Sequence, residues 1–208
     1  MKRTVLFLLP VIALAAGGDE GKSKEERLGA IWQESVASEQ RGEPLEALAG
    51  ANRYLREGGD GYLANMRAAW LHYGQKNHGE AVRFYQAAAR LQPAALSPRL
   101  GLLNVAADKG DVAEAMKAGE LVLAVDKTNL RALYAVAWGA FQAKNYSKSG
   151  AAYRRILELY PEDTDAASGA AWSAFYENRK SEARRWFRMV VSMNPDYPDA
   201  AKGLELCK

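Results

Sequence analysis

Small apolar residues recur along the chain at a spacing that predicts repeated pairs of helices. From Leu28 the chain divides into five blocks of 34 residues: 28–61, 62–95, 96–129, 130–163 and 164–197. The twentieth residue of each block is small: Ala47, Ala81, Ala115, Ser149 and Ala183. The eighth is also small, except for Leu103. Because the alternating β-branched pattern of a half-buried strand is missing, each block is predicted to form a helix, a short turn and a second helix.

Turn residues and prolines mark the ends of these predicted helices. Turn-like segments interrupt the blocks at residues 41–43 (RGE), 109–111 (KGD) and 144–146 (KNY). Three of the blocks close on proline, at Pro93, Pro161 and Pro195. Residues 198–208 begin a sixth unit and stop after one helix, which we expect to cap the open end of the last pair. Large side chains of the second helices should fill the spaces between pairs: Tyr85, Tyr153 and Phe187.

These blocks resemble the tetratricopeptide repeat, a family whose unit is a helix-turn-helix of 34 residues. Residues 40–47 (QRGEPLEA) and 108–115 (DKGDVAEA) are similar to the central signature of that family. Residues 87–93 (AAARLQP) and 156–161 (ILELYP) are similar to its closing signature. The resemblance covers residues 28–208, with the largest departure at residues 58–61 (GGDG), where a closing proline is missing. It implies an all-α fold, a right-handed α-solenoid with a C-terminal capping helix.

Aromatic residues recur on one face of the first helices. The fifth, ninth and twelfth residues of a block share a helix face, whereas the opposite face carries small residues such as Ala132 and Ala140. In the family that the chain resembles, the first helices line a concave groove that holds the ligand. By position, this groove would be formed by Trp32, Met66, Trp70, Tyr73, Asn104, Tyr134, Trp138, Phe141, Trp172, Phe175 and Tyr176.

Two functions follow from such a groove. The first is a non-catalytic scaffold that binds an extended or helical segment of another envelope protein, since aromatic anchors dominate protein interfaces. The alternative is a glycan-binding module in cell-wall or exopolysaccharide assembly or export, because sugar rings pack on aromatic faces and bond to polar groups such as Asn104. Self-association that closes the groove, or aromatics that simply belong to the core, are further interpretations.

The first residues of the chain have the pattern of a secretory signal peptide. Lys2 and Arg3 precede an apolar run over residues 5–16, which ends in small residues. This run is shorter than the roughly 20 residues that span a bilayer, although an uncleaved membrane anchor is the alternative. We therefore predict a signal peptide over residues 1–16 and a charged linker over residues 17–27. The mature chain is expected without a transmembrane segment, periplasmic in a Gram-negative bacterium and otherwise secreted.

Composition and single residues argue against several kinds of chemistry. The chain has 208 residues, 49% of them hydrophobic, and a formal net charge of +3, which gives no support to a nucleic-acid partner. The only two histidines, His72 and His78, are not at a zinc spacing, and we expect His72 to pack within its helix pair. Cys207 is the single cysteine and is expected to be a buried thiol. We expect no catalytic residues, no cofactor and no metal.

Overall fold

The computed structural model describes residues 22–208, and this part of the chain contains helices without strands. The predicted signal peptide and residues 17–21 of the predicted linker lie outside the described residues. None of the described helices is long and apolar enough to cross a membrane. In chain order the helices are α1 (Lys24–Gln40), α2 (Pro44–Arg56), α3 (Gly61–Gly74), α4 (His78–Leu91), α5 (Ser97–Asp108), α6 (Val112–Leu123), α7 (Leu130–Gln142), α8 (Tyr146–Leu159), α9 (Thr164–Tyr176), α10 (Lys180–Met193) and α11 (Ala200–Leu206).

Each helix packs mainly on the helices directly before and after it in the chain. The pairs α1–α2, α3–α4, α5–α6, α7–α8 and α9–α10 therefore stack as five consecutive repeats, and α11 packs on α10 and α9 at the end of the stack. This arrangement confirms the predicted all-α repeat solenoid. Its largest buried cluster within the described residues runs from α7 to α11 and includes Cys207, whose predicted burial is also confirmed.

Helix α1 begins earlier than the sequence pattern predicts. The linker was expected to reach residue 27, but the first helical residue is Lys24. Ser23 and Glu26 form a reciprocal cap: the Ser23 Oγ accepts from the Glu26 N–H at 3.2 Å, and the Glu26 Oε2 accepts from the Ser23 N–H at 2.7 Å. A capping box satisfies two amides that would otherwise lack partners, so the linker prediction is wrong over residues 24–27.

The turn inside each repeat has the same backbone geometry five times. The fifteenth residue of every block has a positive φ of 59° to 76°: Gly42, Lys76, Gly110, Lys144 and Asn178. In the fourth repeat the Lys144 N–H donates to the Phe141 carbonyl, and the Asn145 N–H donates to the Ala140 carbonyl. These two bonds satisfy the last carbonyls of α7 and turn the chain toward α8. Two of the five positions hold lysine, a residue that disfavours this conformation.

The small residues at the eighth and twentieth places lie between the two helices of a pair. Ala69 and Ala81 are both fully buried, as are Ala171 and Ala183. In the first repeat the Ser35 Oγ donates to a backbone carbonyl of α2 at 2.7 Å. Outside the third repeat, whose eighth residue is the buried Leu103, these places hold small residues, and their small size lets the two helices approach closely.

Neighbouring repeats interlock through an aromatic ring placed on a glycine. A Cβ added to Gly169 would lie 2.3 Å from the ring of Tyr153, so no larger residue fits there without a shift. The same relationship joins Tyr85 to Gly101 at 2.4 Å and Phe187 to Gly203 at 2.3 Å. The expectation that these aromatic side chains fill the spaces between helix pairs is confirmed: Tyr85, Tyr153 and Phe187 are buried. The receiving glycines were not identified from the sequence.

Candidate functional site

The eleven residues predicted to form the groove all lie on the first helices of the five repeats, and we call this set the aromatic face. Most of its side chains are half-buried. Three are exposed: Trp70 by 54%, Trp138 by 48% and Tyr176 by 52%. The aromatic face is therefore neither a closed core nor a uniformly open surface.

Rings on α7 and α9 form one continuous cluster. Trp138 stacks on Phe141 with 6.0 Å between ring centroids and an angle of 7° between the planes. Phe141 meets Tyr176 edge-on at 5.7 Å, and Tyr176 lies 6.1 Å from Trp172. Phe175 completes the cluster at 5.7 Å from Trp172. The structure thus brings together five of the predicted residues from two adjacent repeats.

One member of this cluster was missed by the sequence reasoning. Tyr146, the first residue of α8, stacks on Tyr176 at 4.8 Å and meets Phe141 edge-on at 5.4 Å. The prediction considered the first helix of each repeat alone, whereas Tyr146 belongs to a second helix. Its position directly after the Asn145 cap at the end of the turn was the available signal, because the turn returns the chain to the end of the first helix.

The predicted residues of α1 and α3 form a separate, more polar group. The indole N–H of Trp70 donates to the Glu39 Oε1 at 2.8 Å, and Arg67 donates to the other oxygen of Glu39 at 2.5 Å. Trp32 has different partners. Its ring packs edge-on against Tyr54 with 5.1 Å between ring centroids, and the Arg67 guanidinium lies 6.0 Å from its centroid. Trp70 is thus oriented by the preceding repeat, and Trp32 is mainly a packing residue.

Two further predicted residues are already engaged by the protein itself. Met66 packs against a small buried cluster that contains Tyr85 and Val105. The side-chain oxygen of Asn104 accepts a hydrogen bond from Arg131 of the next repeat. Because this bond uses the oxygen of Asn104, less of its polar side chain remains for a ligand.

The third repeat interrupts the run of rings and leaves an open cavity. Its residues on this face are Leu100, Asn104 and Ala107, without an aromatic ring. A cavity of about 430 Å³ lies between the third and fourth repeats, with Ala107, Val112 and Trp138 in its wall. Much of the wall is apolar, although Asp111 and Arg131 contribute to it as well.

A second cavity, of about 220 Å³, lies between α7 and α9. It is lined by Tyr134, Trp138, Phe141, Tyr153, Asp165, Ser168, Gly169, Trp172 and Tyr197. Trp138 lines both cavities, so its exposed ring separates two concave spaces. We call the second one the acidic aromatic cavity, because Asp165 is the charged residue in its wall.

Tyrosine hydroxyls bond to carboxylates around this cavity. Tyr134 donates to Asp163, and Tyr197 donates to Asp165 at 2.7 Å. Burial, and then the hydrogen bond to a carboxylate, raises the pKa of both tyrosines above the ordinary value. Burial also raises the pKa of Tyr153 to about 12. The hydroxyls of Tyr134 and Tyr197 thus serve as hydrogen-bond donors, and the ring of Tyr153 forms part of the cavity wall.

A similar pair stands on the other half of the aromatic face. Tyr73 donates to the Asp108 Oδ2 at 2.8 Å, and Lys76 approaches the same oxygen at 3.3 Å. The hydrogen bond from Tyr73, followed by that from Lys76, lowers the pKa of the Asp108 carboxyl. This carboxylate is thus held ionised and has a lysine partner, whereas Asp165 accepts from a tyrosine and forms no ion pair within residues 22–208.

The two histidines pack within the fold and do not come together as a site. His72 stacks on Phe84 of α4 at 5.4 Å with an angle of 11° between the rings, which confirms its predicted place within the helix pair. The His72 Nδ1 and the His78 Nε2 are buried without a hydrogen-bond partner in the described part of the chain. Over residues 22–208 there is no group of three or more His, Cys, Asp and Glu side chains that could hold a metal ion.

Solved structures share the fold of this chain. It is similar to the MamA protein at 12% identity and a TM-score of 0.66, over 86% of this chain and 96% of MamA. It is also similar to YrrB, described as a TPR protein with an unusual peptide-binding site, at 13% identity and a TM-score of 0.67, over 88% of this chain and 98% of YrrB. A tetratricopeptide repeat protein from Parabacteroides merdae matches at 17% identity and a TM-score of 0.66, over 87% of this chain and 72% of that protein.

At these low identities the structural matches show the fold alone. No curated protein sequence matches this chain significantly. The family model described as tetratricopeptide repeat matches residues 134–201, which include most of α7 and all of α8, α9 and α10. The repeats before this segment have the same helix pairing and the same turn geometry. Residues 134–201 thus match the tetratricopeptide repeat family, and most of this chain has the fold of solved tetratricopeptide repeat proteins.

Proposed function

We propose that this protein is a non-catalytic scaffold of the cell envelope that binds a segment of a partner protein along its aromatic face. The observation that carries the proposal is Trp138, a large ring that is 48% exposed and lies between two cavities. An exposed indole flanked by concave apolar space is the usual anchor of a protein interface. The fold supports a protein partner as well, since tetratricopeptide repeats serve as interaction scaffolds.

Two further observations support a peptide-like ligand. The cavities follow one another along adjacent repeats, as an extended or helical segment would require. YrrB, which shares the fold, is described as having a peptide-binding site. The envelope location rests on the signal-peptide pattern of residues 1–16 and on nothing in residues 22–208.

Site-specific crosslinking tests this proposal better than a pull-down alone. A photoreactive p-benzoylphenylalanine replaces Trp138 in one variant and Trp186 in a second. Trp186 is the matched control, because it is a partly buried tryptophan on α10 and lies outside both cavities. We expect a protein of the envelope fraction to crosslink to position 138 and not to position 186.

The captured protein is then purified and its affinity is measured directly. Trp138→Ala should weaken its binding at least tenfold, whereas Trp186→Ala should leave the affinity within about twofold. Circular dichroism checks that both variants keep the helical content of the parent. Equal binding by the parent and Trp138→Ala, or equal crosslinking at both positions, contradicts a partner site on the aromatic face.

Glycan binding is a second candidate, favoured by the flat stack of Trp138 on Phe141. The two planes differ by 7°, so the exposed indole offers a rigid platform to the apolar face of a sugar ring. Against it, the side-chain oxygen of Asn104 is occupied by Arg131. Soluble cell-wall oligosaccharides should change tryptophan fluorescence at millimolar concentration if this candidate is correct. A flat titration up to that concentration eliminates it.

A further inference from the structure

The acidic aromatic cavity combines flat rings with a carboxylate. Trp138 and Phe141 line it from α7, and Trp172 lines it from α9. Asp165, in the first turn of α9, is the charged residue in its wall, and no cation lines the cavity. A cavity with π-faces and a net negative charge is complementary to a cation.

Asp165 retains hydrogen-bonding capacity on its outer side. Its Oδ1 accepts the hydroxyl of Tyr197 at 2.7 Å, while its Oδ2 accepts no hydrogen bond within residues 22–208. No arginine or lysine of the described chain forms an ion pair with it. This contrasts with Glu39 and Asp108, whose carboxylates are paired with Arg67 and Lys76 respectively.

Two carboxylates lie close to the tyrosine hydroxyls around this cavity. Burial is the main reason for the raised pKa of Tyr134 and of Tyr197, and the carboxylates of Asp163 and Asp165 raise both further. Asp163 is held in place because it caps α9, accepting from the Ala166 N–H at 2.9 Å. Two fixed carboxylates therefore act on one side of the cavity.

We propose that the acidic aromatic cavity binds an arginine side chain of the partner segment. This inference rests on the proposed function and names the chemistry that the site selects. A guanidinium stacks on the exposed ring of Trp138 and donates its N–H groups to the free oxygen of Asp165. Arginine suits this site better than lysine, because its flat cation matches both a ring face and a carboxylate.

The role of Asp165 in helix stability does not conflict with this proposal. A carboxylate in the first turn of a helix is stabilised by the positive end of the helix dipole. That interaction leaves the Oδ2 of Asp165 free to accept a hydrogen bond. Asp165→Asn keeps the shape of the side chain and removes only its charge, so it separates ligand binding from packing.

The test compares two ligands that differ in charge and hardly in shape. Nα-acetylarginine methylamide and its uncharged citrulline analogue are titrated into the intact protein, and the indole N–H signals of Trp138 and Trp172 are followed by NMR. We expect the arginine ligand to bind about tenfold more tightly than the citrulline ligand. Raising the salt concentration should weaken the arginine ligand selectively, because its attraction is partly Coulombic.

Matched variants test whether Asp165 causes the difference in affinity between the two ligands. In Asp165→Asn the difference between the two ligands should fall to about twofold or less, whereas Glu205→Gln should keep the full difference. Glu205 is an exposed carboxylate on α11 and does not line the cavity. Thermal unfolding of both variants shows that they remain folded.

The outcomes separate this inference from the proposed function. Equal affinity of the parent for the two ligands, or an unchanged difference in Asp165→Asn, overturns the arginine site. If a partner still crosslinks to position 138 in that case, the partner site stands and its recognition does not depend on a cation. If the arginine ligand binds selectively while position 138 captures no protein, the cavity is a cation site and the scaffold function is wrong.

Discussion

The hydroxyl of Tyr134 on α7 donates a hydrogen bond to Asp163, the residue that caps the N-terminus of α9. This bond joins the first helix of the fourth repeat to the first helix of the fifth, and Tyr134 also lines the acidic aromatic cavity. Asp163 also accepts from the Ala166 N–H, so one carboxylate orients both a helix end and a phenol. Side chains between consecutive repeats thus determine the geometry of the cavity as well as the stability of the stack.

Removal of this hydroxyl should destabilise the protein. We expect Tyr134→Phe to lower the free energy of unfolding by about 1–2 kcal/mol, since a hydrogen bond to a charged acceptor is lost while the ring remains. Tyr160→Phe is the matched control: Tyr160 is 48% exposed and its hydroxyl makes no hydrogen bond within the described residues. Urea unfolding followed by circular dichroism measures both variants. Identical midpoints for the two would contradict a stabilising role for the bond.

The buried phenol of Tyr153 makes stability depend on alkaline pH. Burial raises its pKa from 10.0 to about 12 in the folded chain. Because the raised pKa favours the protonated form in the folded state, this contribution is complete below pH 10 and is lost as the pH rises toward 12. The loss amounts to about 2 kcal/mol at pH 12 and approaches about 3 kcal/mol at higher pH.

Urea unfolding at pH 9 and pH 12 measures this loss. Tyr153→Phe cannot ionise, so its decrease in stability between the two pH values should be smaller than that of the parent by about 2 kcal/mol. A parallel decrease in the two proteins would show that the phenol does not carry the effect. The difference in absorbance at 295 nm between the parent and Tyr153→Phe reports the ionisation of this phenol, which should appear together with unfolding.

The contact of Tyr153 with Gly169 predicts an unusual effect of alanine in a helix. Alanine normally favours a helix over glycine, but a Cβ at position 169 would meet the Tyr153 ring at 2.3 Å. We expect Gly169→Ala to lower the free energy of unfolding by about 1–2 kcal/mol, because the strain of overpacking exceeds the gain in helix propensity.

Gly29 provides the control for this substitution. It lies within α1, and a Cβ added there would meet nothing within 4 Å beyond its chain neighbours and the nearby backbone of its own helix, so Gly29→Ala should raise the free energy of unfolding by up to about 1 kcal/mol. Thermal unfolding of the two variants should therefore change in opposite directions. A stabilising effect of Gly169→Ala would rule out the close ring contact between the fourth and fifth repeats.

Lys144 is a site where glycine should stabilise the protein. Its φ of 59° places a side chain in the left-handed region, which disfavours residues with a Cβ by about 1 kcal/mol. We expect Lys144→Gly to raise the midpoint of thermal unfolding, whereas Lys144→Ala should not, because alanine keeps the Cβ. An equal increase in both would assign the effect to loss of the lysine charge instead of to backbone strain.

The sequence pattern predicted the repeats well because their signals are local. Three signals act within one helix pair: the small residues at the eighth and twentieth places, the turn residues and the closing prolines. The residues of one block therefore specify the helix pair that the block forms. The error at α1 has the same origin. The capping box of Ser23 and Glu26 lies before the first repeat block and was included in a charged segment that was interpreted as a linker.

The sequence predicted only one partner of each contact between repeats. Tyr85, Tyr153 and Phe187 were expected between the helix pairs, but their receiving glycines were not. The same limit applies to the aromatic face. Its residues could be assigned to one face by helical periodicity, yet periodicity does not tell which rings of different repeats meet, and Tyr146 was missed for that reason.

Local sequence patterns were enough to predict the all-α repeat, the helix pairs and the face that carries the aromatic rings. Only the folded chain shows that Trp138 lies between two cavities, that the side-chain oxygen of Asn104 accepts from Arg131, and that the Oδ2 of Asp165 accepts no hydrogen bond within residues 22–208. Helix periodicity and capping depend on residues a few positions apart, whereas the site is made by side chains roughly one repeat apart. The distance between side chains of neighbouring repeats depends on how each repeat is rotated relative to the next. Packing across the whole interface between the repeats sets that rotation.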